Sequence, residues 1–310
     1  MTRYIITIGV GLFVLSATVS AALSDSRLLL NQYRQFSATT KPLDRNLALR
    51  IQSDEQGRRL RVDVYGIVNQ PYPRVAEALS SPAAMCDFLI LNMNVKTCTY
   101  EQVGRRLFMT IYIAGKNYTP LYRTLEIEPY FELQKKNRNY LKVLVASREA
   151  SRGKTEYSVF VEAVPYGKAT LVRFSSKYFA SRINKAATTA YLKTFALNKV
   201  GFTVIGRNNQ GLPEYVRGMQ GVIERNAVRS YLALQAYLET TDAPVNLRFE
   251  LRLWRWFKLT NVYKRQLHEM HWQSYLLNKR REYQNQLMMQ KQILRRVSKR
   301  GLQQRLKSGG

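Results

Sequence analysis

The sequence predicts an α+β fold in which a curved antiparallel sheet grips a long helix and a basic helical tail is appended. Three observations carry that expectation. Residues from about 47 to 204 read as short strands divided by turn residues, an amphipathic helix from Gly221 to Leu238 follows them, and beyond residue 246 the chain turns strongly basic. A sheet followed by one amphipathic helix hides its apolar face most economically by curling round that helix, leaving a cavity or a filled core between them.

Charge and the first residues narrow the function class. Lys and Arg number 49 against 21 Asp and Glu, a formal net charge of +28, which calls for a polyanionic neighbour such as nucleic acid, anionic lipid or lipopolysaccharide. Arg3 precedes an uncharged apolar run from Tyr4 to about Ser16, then Val19-Ser20-Ala21, a small-x-Ala cleavage pattern. Residues 1–21 are therefore expected to be a signal peptide and the protein to be exported, most simply to a periplasm. An uncleaved membrane anchor is the alternative, since Tyr4 to Leu23 carries no charge and is just long enough to span. Both readings disfavour nucleic acid as partner. An oxidising compartment also favours pairing Cys86 with Cys98, the alternative being two buried free thiols.

The elements follow in order. Residues 22–45 form an N-terminal segment with a short exposed helix expected at Leu28 to Phe36. Leu47 to Ile51 and Leu60 to Val64 alternate with period two about Ser53 to Gly57, a hairpin signal. Pro71, Pro73 and Val75, Ala78, Leu79 mark a short helix, and Pro82 opens a second that runs to Leu89. Strands are then expected at Val95–Glu101, Arg106–Ala114, Leu121–Gln134, Tyr140–Arg148, Glu156–Val164 and Thr170–Tyr178, with turns at Gly104, Gly115, Gly153 and Gly167. Asn184 to Ala196 has helical spacing and Gly201 to Ile205 reads as a strand. In the gripping helix Ala227, Val228, Tyr231, Leu232, Leu234 and Leu238 form the apolar arc. Glu224 stands in its first turn, and Arg225, Arg229 and Ser230 are left for the solvent side.

Residues 246–310 read as a separate appendage. Thr260 is the expected cap of one helix from Asn261 to about Arg300. From Lys264 onward twelve Lys and Arg stand against Glu269 and Glu282, and a thin stripe of Leu276, Tyr283, Leu287, Leu294 and Val297 is interrupted by Arg280. Trp254 and Trp256 suit either a lipid headgroup boundary or docking onto the domain. Catalytic signatures are missing: there is no P-loop, G-x-S-x-G, G-x-G-x-x-G or H-E-x-x-H, and His268 and His271 lack a third metal ligand. No catalytic residue, metal or cofactor is assigned.

Within residues 46–245 the succession of a strand, two short helices, a strand meander and a closing helix resembles the START-like helix-grip superfamily, which includes polyketide cyclases and lipid-binding proteins. The residues that carry it are Val62 to Val68, Pro71 to Leu79, Pro82 with Asp87-Phe88-Leu89, and Val222 to Asn226. The resemblance implies an apolar cavity between sheet and helix holding a small molecule or lipid, usually without reaction. Its candidate lining is Met109, Ile111 and Ile113, then Tyr157, Val159 and Val161, and from the helix Tyr231, Leu234 and Leu238. Tyr231 and Leu234 are expected to face Met109, Ile111 and Val159. Arg280, Arg281, Arg295, Arg296, Lys299 and Arg300 are the candidate contacts to an anionic membrane or glycolipid. Two other readings stay open: a structural adaptor of the cell envelope with a filled core, and an enzyme acting on an apolar substrate in the cavity.

Overall fold

The computed structural model describes residues 10–43, 48–146, 156–179 and 199–308, with side chains over 25–43, 48–146, 157–179 and 199–299. β1 (Arg50–Gln56) and β2 (Arg59–Val68) form the opening hairpin, with Gln56 opposite Arg59. The turn is shorter than expected: Ser53 to Gln56 belong to β1, and Gly57 makes the reversal at φ +62°, where a glycine pays no steric cost. α2 (Tyr72–Leu79) and α3 (Pro82–Leu89) follow, each entered through proline, and the Ser81 hydroxyl caps α3 by accepting from Ala84 N at 3.2 Å.

β3 (Val95–Val103) and β4 (Arg106–Ile113) form the next hairpin. The strand expected at Leu121–Gln134 is broken into a 3-10 turn at Leu121–Arg123, β5 (Leu125–Ile127) and β6 (Tyr130–Lys136). Pro129 divides the two strands; it has no N–H to donate, and its carbonyl accepts from Met109 N at 2.9 Å. β7 (Leu141–Ala146), β8 (Glu156–Tyr166) and β9 (Ala169–Phe179) complete an antiparallel sheet of order β1-β2-β9-β8-β7-β6-β4-β3, with β5 beside β4. β10 (Val204–Arg207) and β11 (Pro213–Tyr215) make a separate two-stranded ribbon. The helix expected at Asn184 to Ala196 lies outside the described residues.

The gripping helix is α4 (Gly218–Glu239), three residues longer at its start than expected. Ala227, Val228, Tyr231, Leu232, Leu234 and Leu238 are all buried, as the sequence arc requires. Its other side is buried too. Arg225 is 4 % and Arg229 2 % exposed, against the expectation that they face solvent, because α5 (Val245–Asn261) and α6 (Lys264–Leu267) pack over them. Glu224 is likewise not a first-turn dipole partner; fully buried, it accepts from Phe202 N at 2.5 Å and Thr203 N at 3.0 Å, and from the Ser53 hydroxyl.

Two further corrections concern the ends. The single helix expected from Asn261 to about Arg300 is instead α6 and α7 (Trp272–Ser308), and Thr260 sits in the last turn of α5, donating to Phe257 O at 3.0 Å. The chain breaks there because Leu259, Tyr263, Leu267 and Met270 turn into the main core, which they share with Leu253, Trp256 and Tyr275. The tail beyond residue 246 thus shares the main hydrophobic core. At the other end α1 (Val10–Thr39) replaces the short exposed helix. Leu29 and Tyr33 bury against Tyr65, Tyr140, Val164 and Leu171 on the back of the sheet, and Gln32 accepts from Arg173, itself paired with Asp63 and Glu162. Among the described residues no helix is long and apolar enough to cross a membrane.

Candidate ligand cleft and cationic helix

α4 lies inside the curve of the sheet, over β1, β2 and β9. The Tyr231 ring presses on Gly66 of β2 so closely that a β-carbon there would come within 2.2 Å of it, and the Phe174 ring meets it edge-on with centroids 6.3 Å apart. Tyr231 therefore faces β2 and β9, not the Met109 and Ile111 side. Burial pushes its phenol well above the usual range, and its hydroxyl has no hydrogen-bond partner among the described residues. Met109, Ile111, Val161, Leu234 and Leu238 belong to the same buried cluster, with Ile113 and Val159 half-buried against it. Tyr157 stays half-buried at the start of β8, outside that cluster.

Open space lies elsewhere. With α4 over the β2–β9 half, α2 against β8 and α3 against β3, no helix among the described residues packs closely over the far end of β4 and β6. There Leu107 stands opposite Phe131, and a cleft of about 570 Å³ opens between the β3–β4 hairpin tip, the α2–α3 corner and β6. Pro82, Leu107, Phe108, Tyr130, Phe131 and Leu133 give it apolar walls, while Arg105 and Arg106 stand at the same site. Leu133, paired with Val143 of β7, is 43 % exposed. Of the apolar face read on β4, only the Leu107 end reaches this cleft. Phe131 and Leu133 were hidden from sequence reading by the assumption of one unbroken strand; Pro129 is the signal that separates them.

The cationic helix α7 runs along β3, the edge of the sheet, and its inner face is polar. Glu282 pairs with Lys96 at 3.0 Å and Lys279 at 2.7 Å, with all three side chains at most 1 % exposed. Lys279 also donates to Asn92 O and Val95 O, each at 2.7 Å, and Tyr275 to Leu91 O. Further along, Gln286 accepts from Cys98 N at 2.8 Å, and Gln290 both accepts from Tyr100 N and donates to Tyr100 O. Cys98 is disulfide-bonded to Cys86, with Cα atoms 5.0 Å apart, tying β3 to α3. A bridge over so short a loop contributes roughly 3 kcal/mol by loop entropy.

On the outer face the expected anion contacts divide. Arg280 is paired with Glu250 at 2.7 Å, and Arg281 lies 3.8 Å over the Tyr118 ring. Arg295, Arg296 and Lys299 are exposed, and the Arg300 side chain lies outside the described residues. Exposed Leu277, Leu287, Met288 and Leu294 are interleaved with them, and on α5 Leu247, Leu251 and Trp254 form an exposed row at helical spacing. A second cleft, about 640 Å³, lies between α5 and α7, where Phe249 stacks on Tyr283 at 3.8 Å among Arg248, Arg252, Arg280 and Arg281. Trp256 is fully buried and its indole donates to Arg229 O at 3.2 Å, so of the two tryptophans one docks the helix and Trp254 remains at the surface. Among the described residues no group of His, Cys, Asp and Glu is placed to hold a metal.

No protein-family model and no curated protein matches the chain. Solved structures similar to it include a STAR-related lipid transfer protein of Xanthomonas axonopodis, at 9 % identity and TM-score 0.39 over 62 % of this chain and 93 % of that one. A Thermus thermophilus protein aligns at 11 % identity and TM-score 0.36 over 59 % and 99 %. Truncated norcoclaurine synthase of Thalictrum flavum aligns at 16 % identity and TM-score 0.30 over 45 % and 91 %. Likenesses this distant carry no argument about ligand or activity, and the fold rests on the topology itself. By its strand order, the two short helices after the second strand and the long helix inside the curve, the chain has the START-like helix-grip fold.

Proposed function

We propose that the protein is an exported envelope protein that takes an apolar small molecule or lipid at the cleft beside Leu107 and Phe131, and is held near an anionic membrane or glycolipid by α7. The observation that carries this is the cleft: about 570 Å³, within the range of small-molecule sites, with apolar walls and two arginines beside them. That pairing suits an apolar tail with an anionic head. The exposed leucines and cations of α5 and α7 support the location, since such faces favour the headgroup boundary.

The test is uptake. The purified protein should carry co-extracted lipid detectable by native mass spectrometry and should bind a fluorescent fatty acid. Leu107→Trp should block the probe without shifting the urea midpoint. A parent protein that takes up neither lipid nor probe would leave the second reading, an adaptor with a filled core. One observation favours that reading: the Tyr231 ring occupies the space over Gly66 where a ligand cavity would otherwise begin.

A further inference from the structure

Where the loop after α6 turns into α7, a recess of about 510 Å³ is walled by Lys116, Lys199, Arg265, His268 and His271. Glu269 reaches it, and that carboxylate is already committed: Arg229 donates to one oxygen at 2.5 Å and Lys199 to the other at 2.6 Å. The nearest contacts of the other two cations supply no negative charge. Lys116 donates to the backbone carbonyl of Glu269 at 2.7 Å, and Arg265 lies 5.8 Å over the Tyr215 ring. Among the described residues, Lys116, Lys199, Arg229 and Arg265 thus stand round one carboxylate, a formal surplus of +3. Arg229 is only 2 % exposed, so bulk counter-ions reach it poorly. Burial lowers Lys199 even beside Glu269, with Arg229 and Arg225 adding to the effect, as crowded cations do.

We propose that this recess binds an oxyanion of the phosphate class, carried on a lipid headgroup or free in solution. Several oxygens are needed to meet two ammonium groups, a guanidinium and two imidazoles arriving from the β4–β5 connection, the segment before β10, α6 and the α6–α7 turn. Ser274, in the first turn of α7, lines the same recess, so the helix dipole adds to the field without being its source. The site lies apart from the Leu107–Phe131 cleft and stands whether or not that cleft takes an apolar ligand.

The chain has two histidines and both are on this wall, so imidazole NMR resonances report on the recess; they also line a pocket with Phe257, Lys264 and Trp272, and Arg265 and Lys116, which line only the recess, separate the two. Inorganic phosphate, or vesicles of phosphatidylcholine with phosphatidic acid, added to the whole protein at constant ionic strength should shift both resonances saturably. A shift with phosphate identifies a free-anion site, and a shift with the vesicles alone identifies a headgroup site. Arg265→Glu should weaken the binding at least tenfold and Lys116→Gln about threefold, while Lys291→Glu, exposed on α7, should leave it unchanged. Failure of both probes to move the resonances, or an equal loss in Lys291→Glu and Arg265→Glu, would overturn the proposal.

Discussion

α4 and α7 both run along the sheet, one inside its curve and one on its β3 edge, but they are held by opposite chemistry. α4 contributes Tyr231, Leu232, Leu234 and Leu238 to the apolar core, each worth roughly 1.5–3 kcal/mol by burial. α7 turns Lys279, Glu282 and Gln286 inward, and these meet Lys96 and the backbone of β3. The spacing explains the match: four helical residues rise about 6 Å and two strand residues about 6.6 Å, so Glu282, Gln286 and Gln290 fall beside Lys96, Cys98 and Tyr100. An apolar contact tolerates sliding, whereas a row of bonds to alternate residues fixes register.

The largest effect should come from breaking the ionic contact of α7. Glu282→Gln leaves two buried lysines without their carboxylate and should cost about 3–5 kcal/mol, read by urea unfolding. A loss under about 1 kcal/mol would mean the triad is solvated in solution. The triad also sets a pH signature. Burial takes Lys279 down to about 8 against the pull of Glu282, so the unfolded chain binds the extra proton between about pH 8 and the ordinary lysine value. The cost of that buried charge is full below pH 8 and relieved as pH rises through the window. Stability relative to Lys279→Met should therefore increase from pH 8 to 10.

Next in size is Glu269, which joins the two helices by pairing Arg229 of α4 at the entrance to α7. Burial alone would raise its carboxyl, but Arg229 and Lys199 outweigh that and hold it at about 2, against 4.5 ordinarily. A depressed carboxyl contributes stability above its unfolded value and loses it as pH falls through the folded one. About 3 kcal/mol should disappear between pH 4.5 and 2, and Glu269→Gln should flatten that limb of the stability curve.

The apolar contact of α4 is probed by Gly66→Ala, whose methyl would overlap the Tyr231 ring. A cost of about 1–3 kcal/mol is expected, largely recovered in Gly66→Ala with Tyr231→Leu. Full recovery without loss of fold would show that the ring is a filler; no coupling would place the strain elsewhere. The smallest effect should be Gln290→Ala, about 1 kcal/mol, since Tyr100 is half-buried and water can replace the amide; Gln286→Ala, which strands the buried Cys98 N–H, should cost more.

The same contrast explains what could be read in the sequence. The arc of α4 was legible because its contacts are apolar and periodic. Arg225 and Arg229 were misassigned because their burial comes from a second layer, α5 and α6, which no window on α4 contains. On α7 the apolar stripe was legible in part: Leu276 and Tyr283 pack half-buried against the core and the far end, Leu287, Leu294 and Val297, is 45 %, 54 % and 38 % exposed, but the buried face is Tyr275, Lys279, Glu282, Gln286 and Ile293. Those five share a helical face too, but hydrophobicity ranks their polar members outward. The cleft was half legible, since Leu107 lay on the face read on β4, and Phe131 and Leu133 needed the break at Pro129.

The bonds between α7 and β3 carry one more consequence, for the order of folding. They join residues 184 to 190 positions apart, from Tyr275 with Leu91 to Gln290 with Tyr100. During synthesis β3 therefore emerges with its outer N–H and C=O groups unanswered, and they stay so until almost all the intervening chain has been made. Closing a loop of that length is slow, and an open strand edge is a site for mispairing between nascent copies. The lysine on β3, Lys96, stands guard in the interval: a charge on a bare edge repels a second strand, and the same charge later becomes the socket for Glu282.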